Sequence, residues 1–262
     1  MKKRFTLFSM SIAVVLIVFT ACKKEINTPQ DEEIPGTPPP GLVTYCRIES
    51  LWENPHAPNQ RFFLVLYDQY ENPTAVTTPL PTTGHPYRIF RYDGWHRLKE
   101  YIGDYGNGFF EFWHRYGFDN NGRIGVDTNY VFGKLGENPT EYFDRRISKI
   151  EYDSQGRIIK VTTTSMVNPT PMVETYSYDS NGNLIVPGVT YDNKTNLNTT
   201  NDIWQFLNRD YSRNNPFMAD AYNGANLPTV INSSSTSPSM LWLGEVDLHH
   251  SQIGYSCRDA HW

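Results

Sequence analysis

The chain has 262 residues, of which 39% are hydrophobic, 14% aromatic and 19% charged, and its formal net charge is −5. An acidic chain with no block of Lys and Arg beyond its first residues offers no electrostatic footprint for nucleic acid.

At the N-terminus, Lys2, Lys3 and Arg4 precede an apolar run from Phe5 to Phe19 that closes on FTAC. A basic start, an apolar stretch and a small residue before cysteine is the order of a secretory signal. The run is shorter than the roughly 20 apolar residues of a spanning helix, and the polar stretch CKKEINTPQDEE follows at once. The junction resembles the lipobox of bacterial lipoproteins, with Phe19 where that family usually has Leu. The resemblance implies a signal peptide over residues 1–21 and lipidation, palmitate included, at Cys22. Lys23 is not the Asp that holds such lipoproteins at the inner membrane, so it also implies a lipid anchor in the outer membrane, on the periplasmic or the surface face. Removing residues 1–21 takes away three positive charges and moves the net charge from −5 to −8.

Residues 22–41 are almost free of apolar side chains and end in PGTPPPG, so they read as a disordered, Pro-rich tether. Residues 42–262 then read as one all-β domain.

A short string recurs along that domain. It is YDQYENP at Tyr67, YDGWHRL at Tyr92, FDNNGRI at Phe118, YDSQGRI at Tyr152, YDSNGNL at Tyr178 and YDNKTNL at Tyr191. The steps are 25, 26, 34, 26 and 13 residues, and other turn-rich clusters fall midway, at 81–86, 105–108 and 168–171. A turn every half step leaves strands of about eight or nine residues. Around Tyr152, Ile150 and Tyr152 alternate with Lys149 and Glu151, while Ile159 and Val161 flank Lys160, the period-2 pattern of a half-buried strand. Asp153 can accept from the backbone two residues on, and Gly156 can take the left-handed conformation that closes a hairpin. All the Asp turns should therefore lie along one edge of a sheet.

The pattern of aromatic, Asp, two residues, Gly, Arg or Asn, and Ile or Leu resembles the YD repeat of RHS-type proteins, with full matches at 118–124, 152–158 and 178–184. The copies at 67, 92 and 191 lack the glycine in register. The stretch from Tyr191 to Pro216 is similar to the end segment of small YD-repeat-like lipoproteins. The resemblance implies an antiparallel β-meander of hairpins, strongly twisted or curled to a half barrel, and brings no catalytic residues with it.

A helix is expected near residues 201–211. Thr200 or Asn201 can cap it, Ile203, Trp204, Leu207 and Tyr211 share one face, and Asn214, Asn215 and Pro216 would stop it. Beyond a Ser-rich loop, SMLWLGEVDLH and QIGYSC read as strands.

With Cys22 lipidated, Cys46 and Cys257 remain. A disulfide between them would staple the first strand to the last, and two buried thiols are the alternative. In GEVDLHH, strand alternation would put Glu245, Asp247 and His249 on one face, with His261 near, a weak metal candidate beside ordinary outward charges. The Asp turns lack the later acidic ligand of a calcium loop, so no cofactor is expected. No nucleophile elbow, zinc-binding helix or phosphate loop occurs, and the expectation is a noncatalytic protein.

Aromatic residues are the richest feature. GFFEFWHRYGF, residues 108–118, would place Phe110, Phe112 and His114 on one face and Phe109, Glu111, Trp113 and Arg115 on the other. Aromatic platforms beside amides and carboxylates suit sugar rings, which makes Trp95, Phe112, Trp113 and Tyr116 the candidate ligand-binding residues. The expected role is binding or scaffolding at the envelope, with a glycan or another envelope protein as partner. An assembly partner would show a flat apolar patch or unpaired edge strand, and a glycosidase-like enzyme a cleft with two carboxylates at catalytic separation.

Overall fold

The structure, a computed structural model, describes residues 44–55, 57, 58, 60–232, 242–244 and 246–259. The signal, the tether, Cys22, Glu245 and His261 lie outside the described residues.

The first nine strands are β1 (Thr44–Glu53), β2 (Arg61–Tyr67), β3 (Pro73–Thr77), β4 (Tyr87–Tyr92), β5 (Leu98–Asp104), β6 (Phe109–Phe118), β7 (Ile124–Lys134), β8 (Asp144–Tyr152) and β9 (Ile158–Ser165). β10 (Met172–Thr175) ends this run. A 3₁₀ turn (Leu197–Thr200) and helix α1 (Asp202–Asn208) follow, then β11 (Ala221–Tyr222), β12 (Pro228–Ile231), β13 (Trp242–Leu243), β14 (Val246–Asp247) and β15 (Ser251–Asp259). The main sheet has 13 strands in the order β10-β9-β8-β7-β6-β5-β4-β3-β2-β1-β15-β12-β11. It is an open antiparallel meander that does not close into a barrel.

Chain order explains this layout. From β1 the hairpins step outward to β10, because each strand is joined to the next by a short reversal. The chain then returns through the 3₁₀ turn and α1, and β15 pairs with the free side of β1. Cys46 stands opposite Cys257 in that pairing, and their sulfurs are 2.12 Å apart, disulfide distance, across 211 residues of sequence.

The main core lies on the sheet face that α1 covers. Ile48, Phe63, Val76, Phe90, Tyr101 and Phe112 meet Leu197 and Trp204 there, together with Leu243 and Val246 from the small β13–β14 hairpin. Trp204 is fully buried, with its ring edge-on to Phe90 at 5.7 Å. The Asn201 side chain caps α1 by accepting from the Ile203 N–H. The helix is shorter than its sequence pattern suggests. Arg209 turns left-handed at φ 51° and closes the last turn onto the Gln205 and Phe206 carbonyls, so Tyr211 falls beyond the helix. The next residue, Asp210, is buried and accepts from the Asn196 and Asn198 side chains and the Ser212 N–H, which ties the chain away from a helical path.

Candidate functional site

The recurring Asp turns occupy one edge of the sheet, between β2 and β3, β4 and β5, β6 and β7, and β8 and β9. Their geometry repeats. Asp119 Oδ1 accepts from the N–H groups of Asn121 and Arg123 at 2.8 and 2.9 Å, and Asp153 Oδ1 does the same for Gln155 and Arg157 at 2.9 Å each. The other carboxylate oxygen holds the arginine four residues on, at 2.8 Å for Asp119–Arg123 and 2.7 Å for Asp153–Arg157. That arginine then lies over the next aromatic ring: Arg97 over Phe118 at 3.8 Å, Arg123 over Tyr152 at 4.6 Å and Arg157 over Tyr178 at 4.1 Å.

Each tyrosine hydroxyl in turn donates to a carbonyl of a neighbouring strand. Tyr67 reaches Ile48, Tyr92 reaches Pro73, Tyr152 reaches Ile124 and Tyr178 reaches Ile158. The last three acceptors are the first residues of the preceding hairpins' second strands. The motif therefore does two jobs: Asp and Gly shape the turn, while Arg and Tyr bind one hairpin to the next.

One copy departs from the sequence reading. Asp192 still accepts from the Lys194 N–H two residues on, but Asn215 and the Tyr222 hydroxyl fill the rest of its carboxylate and it closes no hairpin. A turn of the same kind does form at Asn223, whose Oδ1 accepts from Ala225 and Leu227. Its position on β11–β12 puts it on the same edge. In each of the turns that form, the third residue after the Asp or Asn takes positive φ, through Gly122, Gly156 and Gly182 in the full matches and through Glu71, His96 and Asn226 in the others. The copies at 67 and 92 thus keep the turn without the glycine.

The four candidate ligand-binding aromatics do not make a platform. Phe112 and Tyr116 are buried in the main core, where Tyr116 meets Phe206 of α1 edge-on at 5.4 Å. Trp113 is fully buried on the opposite face in a second core with Ile102 and Phe110. Trp95 alone is exposed, on the turn after β4, with Arg97 over its ring at 5.0 Å. The expected grouping of Phe110 with Phe112 also fails. β6 is irregular at Glu111, where the β5 partner register shifts between Gly103 and Asp104, and Phe110 turns to the Trp113 side, its ring 5.7 Å away.

The outer face carries a surface that reading the sequence missed. β2 buries Phe63 and Val65 inward, and its alternate residues Leu64 and Leu66 remain 43% and 49% exposed. Cross-strand pairing sets Trp52 opposite Phe62, with ring centroids 4.4 Å apart, and Ser50 opposite Leu64. Trp52, Phe62, Leu64 and Leu66 thus form an apolar patch on the sheet. The signal was present in RFFLVLY, which is apolar at both alternations, so one face had to bury and the other to lie open. At the far end of the sheet β10 pairs, among the described residues, with β9 alone, and Met172 and Val173 on it are exposed.

For metal, the tail differs from the expected strand. Gly244 turns it into the β13–β14 hairpin, and the Asp247 carboxylate accepts from the His249 backbone N–H at 2.8 Å and meets its Nδ1 at 2.6 Å. The contact is a local turn. Among the described residues no three His, Cys, Asp or Glu groups come together as a metal site.

Two carboxylates, Glu174 and Asp210, line one cavity of about 300 Å³. Burial pushes the Asp210 carboxyl above its usual range, opposed by its hydrogen bonds to Ser212, Asn196 and Asn198. Both groups are engaged within the protein, since Glu174 pairs with Arg209 at 2.6 Å. No protein-family model and no curated protein matches this chain. Among the described residues no helix is long and apolar enough to cross a membrane.

Proposed function

We propose that the chain is a lipid-anchored, noncatalytic binding and scaffolding protein of the bacterial envelope, held at the outer membrane through Cys22. The resemblance to YD-repeat lipoproteins supports that address. The partner we assign is another envelope protein, docked on the outer face of β1 and β2. One observation carries this reading: Trp52, Phe62, Leu64 and Leu66 lie side by side on a sheet face that no helix covers among the described residues. A contiguous apolar patch in a hydrogen-bonded sheet has a backbone of fixed shape on which to present its side chains. The exposed edge of β10 offers a second place for a strand to add.

The test is the size of the complex in detergent extracts of the outer membrane, with wild-type protein and with Trp52→Ser, Leu64→Ser and Leu66→Ser combined. The wild type should migrate with a different protein, and the triple variant alone. A wild type that migrates as a bare monomer removes the proposal.

A further inference from the structure

The two long edges of the sheet differ in kind. One bears the regular Asp turns, whose side chains are spent on holding hairpins together. The other carries reversals of unequal length, at 78–86, 105–108 and 135–143, the arrangement in which loops on a rigid scaffold are free to bind.

These three reversals enclose an open groove of about 710 Å³, inside the roughly 300–1,000 Å³ range of small-ligand sites. Its exposed rings are Phe109 and Phe132, each 47% exposed, beside Pro81 and the buried Phe110. Its polar elements are Thr82, Thr83, Tyr105 and Asn107, with Lys134 and Glu141 paired to each other at 2.8 Å. The single cation and the single anion of the lining cancel.

Backbone strain marks the same place. Phe132 has φ 45° and Glu141 φ 51°. A bulky side chain in the left-handed region is a rare and costly conformation, and such outliers gather where a site is being shaped. The next residue, Gly133, packs so tightly that a Cβ there would stand 2.6 Å from the Phe110 ring and 2.8 Å from the Thr140 carbonyl oxygen, and Phe132 lines the groove.

We infer that this groove binds a neutral oligosaccharide. A pyranose offers an apolar face, which matches the half-exposed phenyl rings, and a rim of hydroxyls, which matches the threonines, the Asn107 amide and the Lys134–Glu141 pair. The cancelled charge disfavours an anionic ligand, and the open shape suits a chain over a small enclosed molecule. The site lies apart from the Trp52–Leu66 patch and does not depend on that patch binding a protein.

The experiment is calorimetric titration of the detergent-solubilised full chain with a panel of neutral gluco-, manno-, galacto-, xylo- and N-acetylglucosamine oligomers. Saturable binding of at least one oligomer is expected, weakened tenfold or more by Phe109→Ala and by Phe132→Gly. Phe132→Gly relieves the backbone strain, so its melting temperature should equal or exceed that of the wild type while binding is lost. Trp52→Ser should leave the titration unchanged. Absence of binding across the panel, or binding that survives both groove variants, overturns the inference. A Phe132→Gly variant that loses binding only because it melts lower also counts against it.

Discussion

The Tyr152 hydroxyl donates to the Ile124 carbonyl oxygen at 2.7 Å, and through that bond the fourth Asp-turn hairpin is fastened to the third. Tyr92 and Tyr178 make the equivalent bond. In the copy that begins at Phe118 the ring has no hydroxyl, and the equivalent acceptor is the Leu98 carbonyl. Phe118→Tyr should restore the missing link and stabilise the fold by about 1 kcal/mol, the net worth of an intramolecular hydrogen bond. Chemical denaturation would show this as a higher midpoint at unchanged slope.

The positive-φ position of each turn gives an independent test. His96 at φ 60° occupies the place that Gly156 fills at φ 80° in its own copy. A non-glycine residue there costs about 1–2 kcal/mol. Gly156→Ala should therefore destabilise by about 1 kcal/mol. His96→Gly should gain less than that, because it also loses the stack of His96 on Tyr70 at 3.8 Å. Thermal unfolding of the two variants checks the opposite signs.

Stability should fall at both ends of the pH scale for different reasons. The backbone N–H of Arg123, followed by a smaller opposing desolvation and then the Arg123 guanidinium and the Asn121 N–H, holds the Asp119 carboxyl below the usual range. A depressed folded-state pKa contributes stability above the unfolded value of about 3.9, and that stability is lost as pH falls through the folded value. Burial pushes the Tyr152 phenol up to about 12. A raised folded-state pKa contributes stability below the unfolded value of about 10, which is lost as pH rises through about 12. Melting temperature against pH should show both declines, and Tyr152→Phe should shrink the alkaline one.

The Cys46–Cys257 pairing ties the first strand of the sheet to the last. Closing so long a loop in the unfolded chain is worth about 5 kcal/mol in the chain-entropy account. Reductant should lower the melting temperature of the wild type and leave Cys46→Ser combined with Cys257→Ser unaffected.

Much of this architecture was legible in the sequence, because the repeat couples a turn signal to strand alternation. The hairpins of β2 to β9 and the Asn201 cap follow from residues close together in the chain. Other features depended on distant partners. Asp192 accepts from the Lys194 N–H as a turn former does, but Asn215 supplies the N–H that the fourth residue on supplies in the hairpins. The Asn223 turn was hidden because Asn replaces Asp and its glycine is out of register. The face change at Glu111 sits opposite the strained Phe132, and no local pattern announces either. Candidate ligand-binding aromatics were chosen by residue type, and residue type does not separate a buried ring such as Trp113 from a half-exposed one such as Phe109.

The proposed lipid anchor is tested by fractionation. Cys22→Ser should move the chain from the membrane fraction to the soluble fraction, with the folded domain unchanged by circular dichroism.

The measurement that bears most directly on the proposed function is site-specific photo-crosslinking in intact cells. A photoreactive residue would be placed at Leu64 or Leu66 on the apolar patch, and at the exposed Glu151 on β8 as a control. One discrete adduct with an envelope protein is expected from both patch positions and none from position 151. Equal labelling at all three positions, or no adduct at either patch position, would contradict the proposed function.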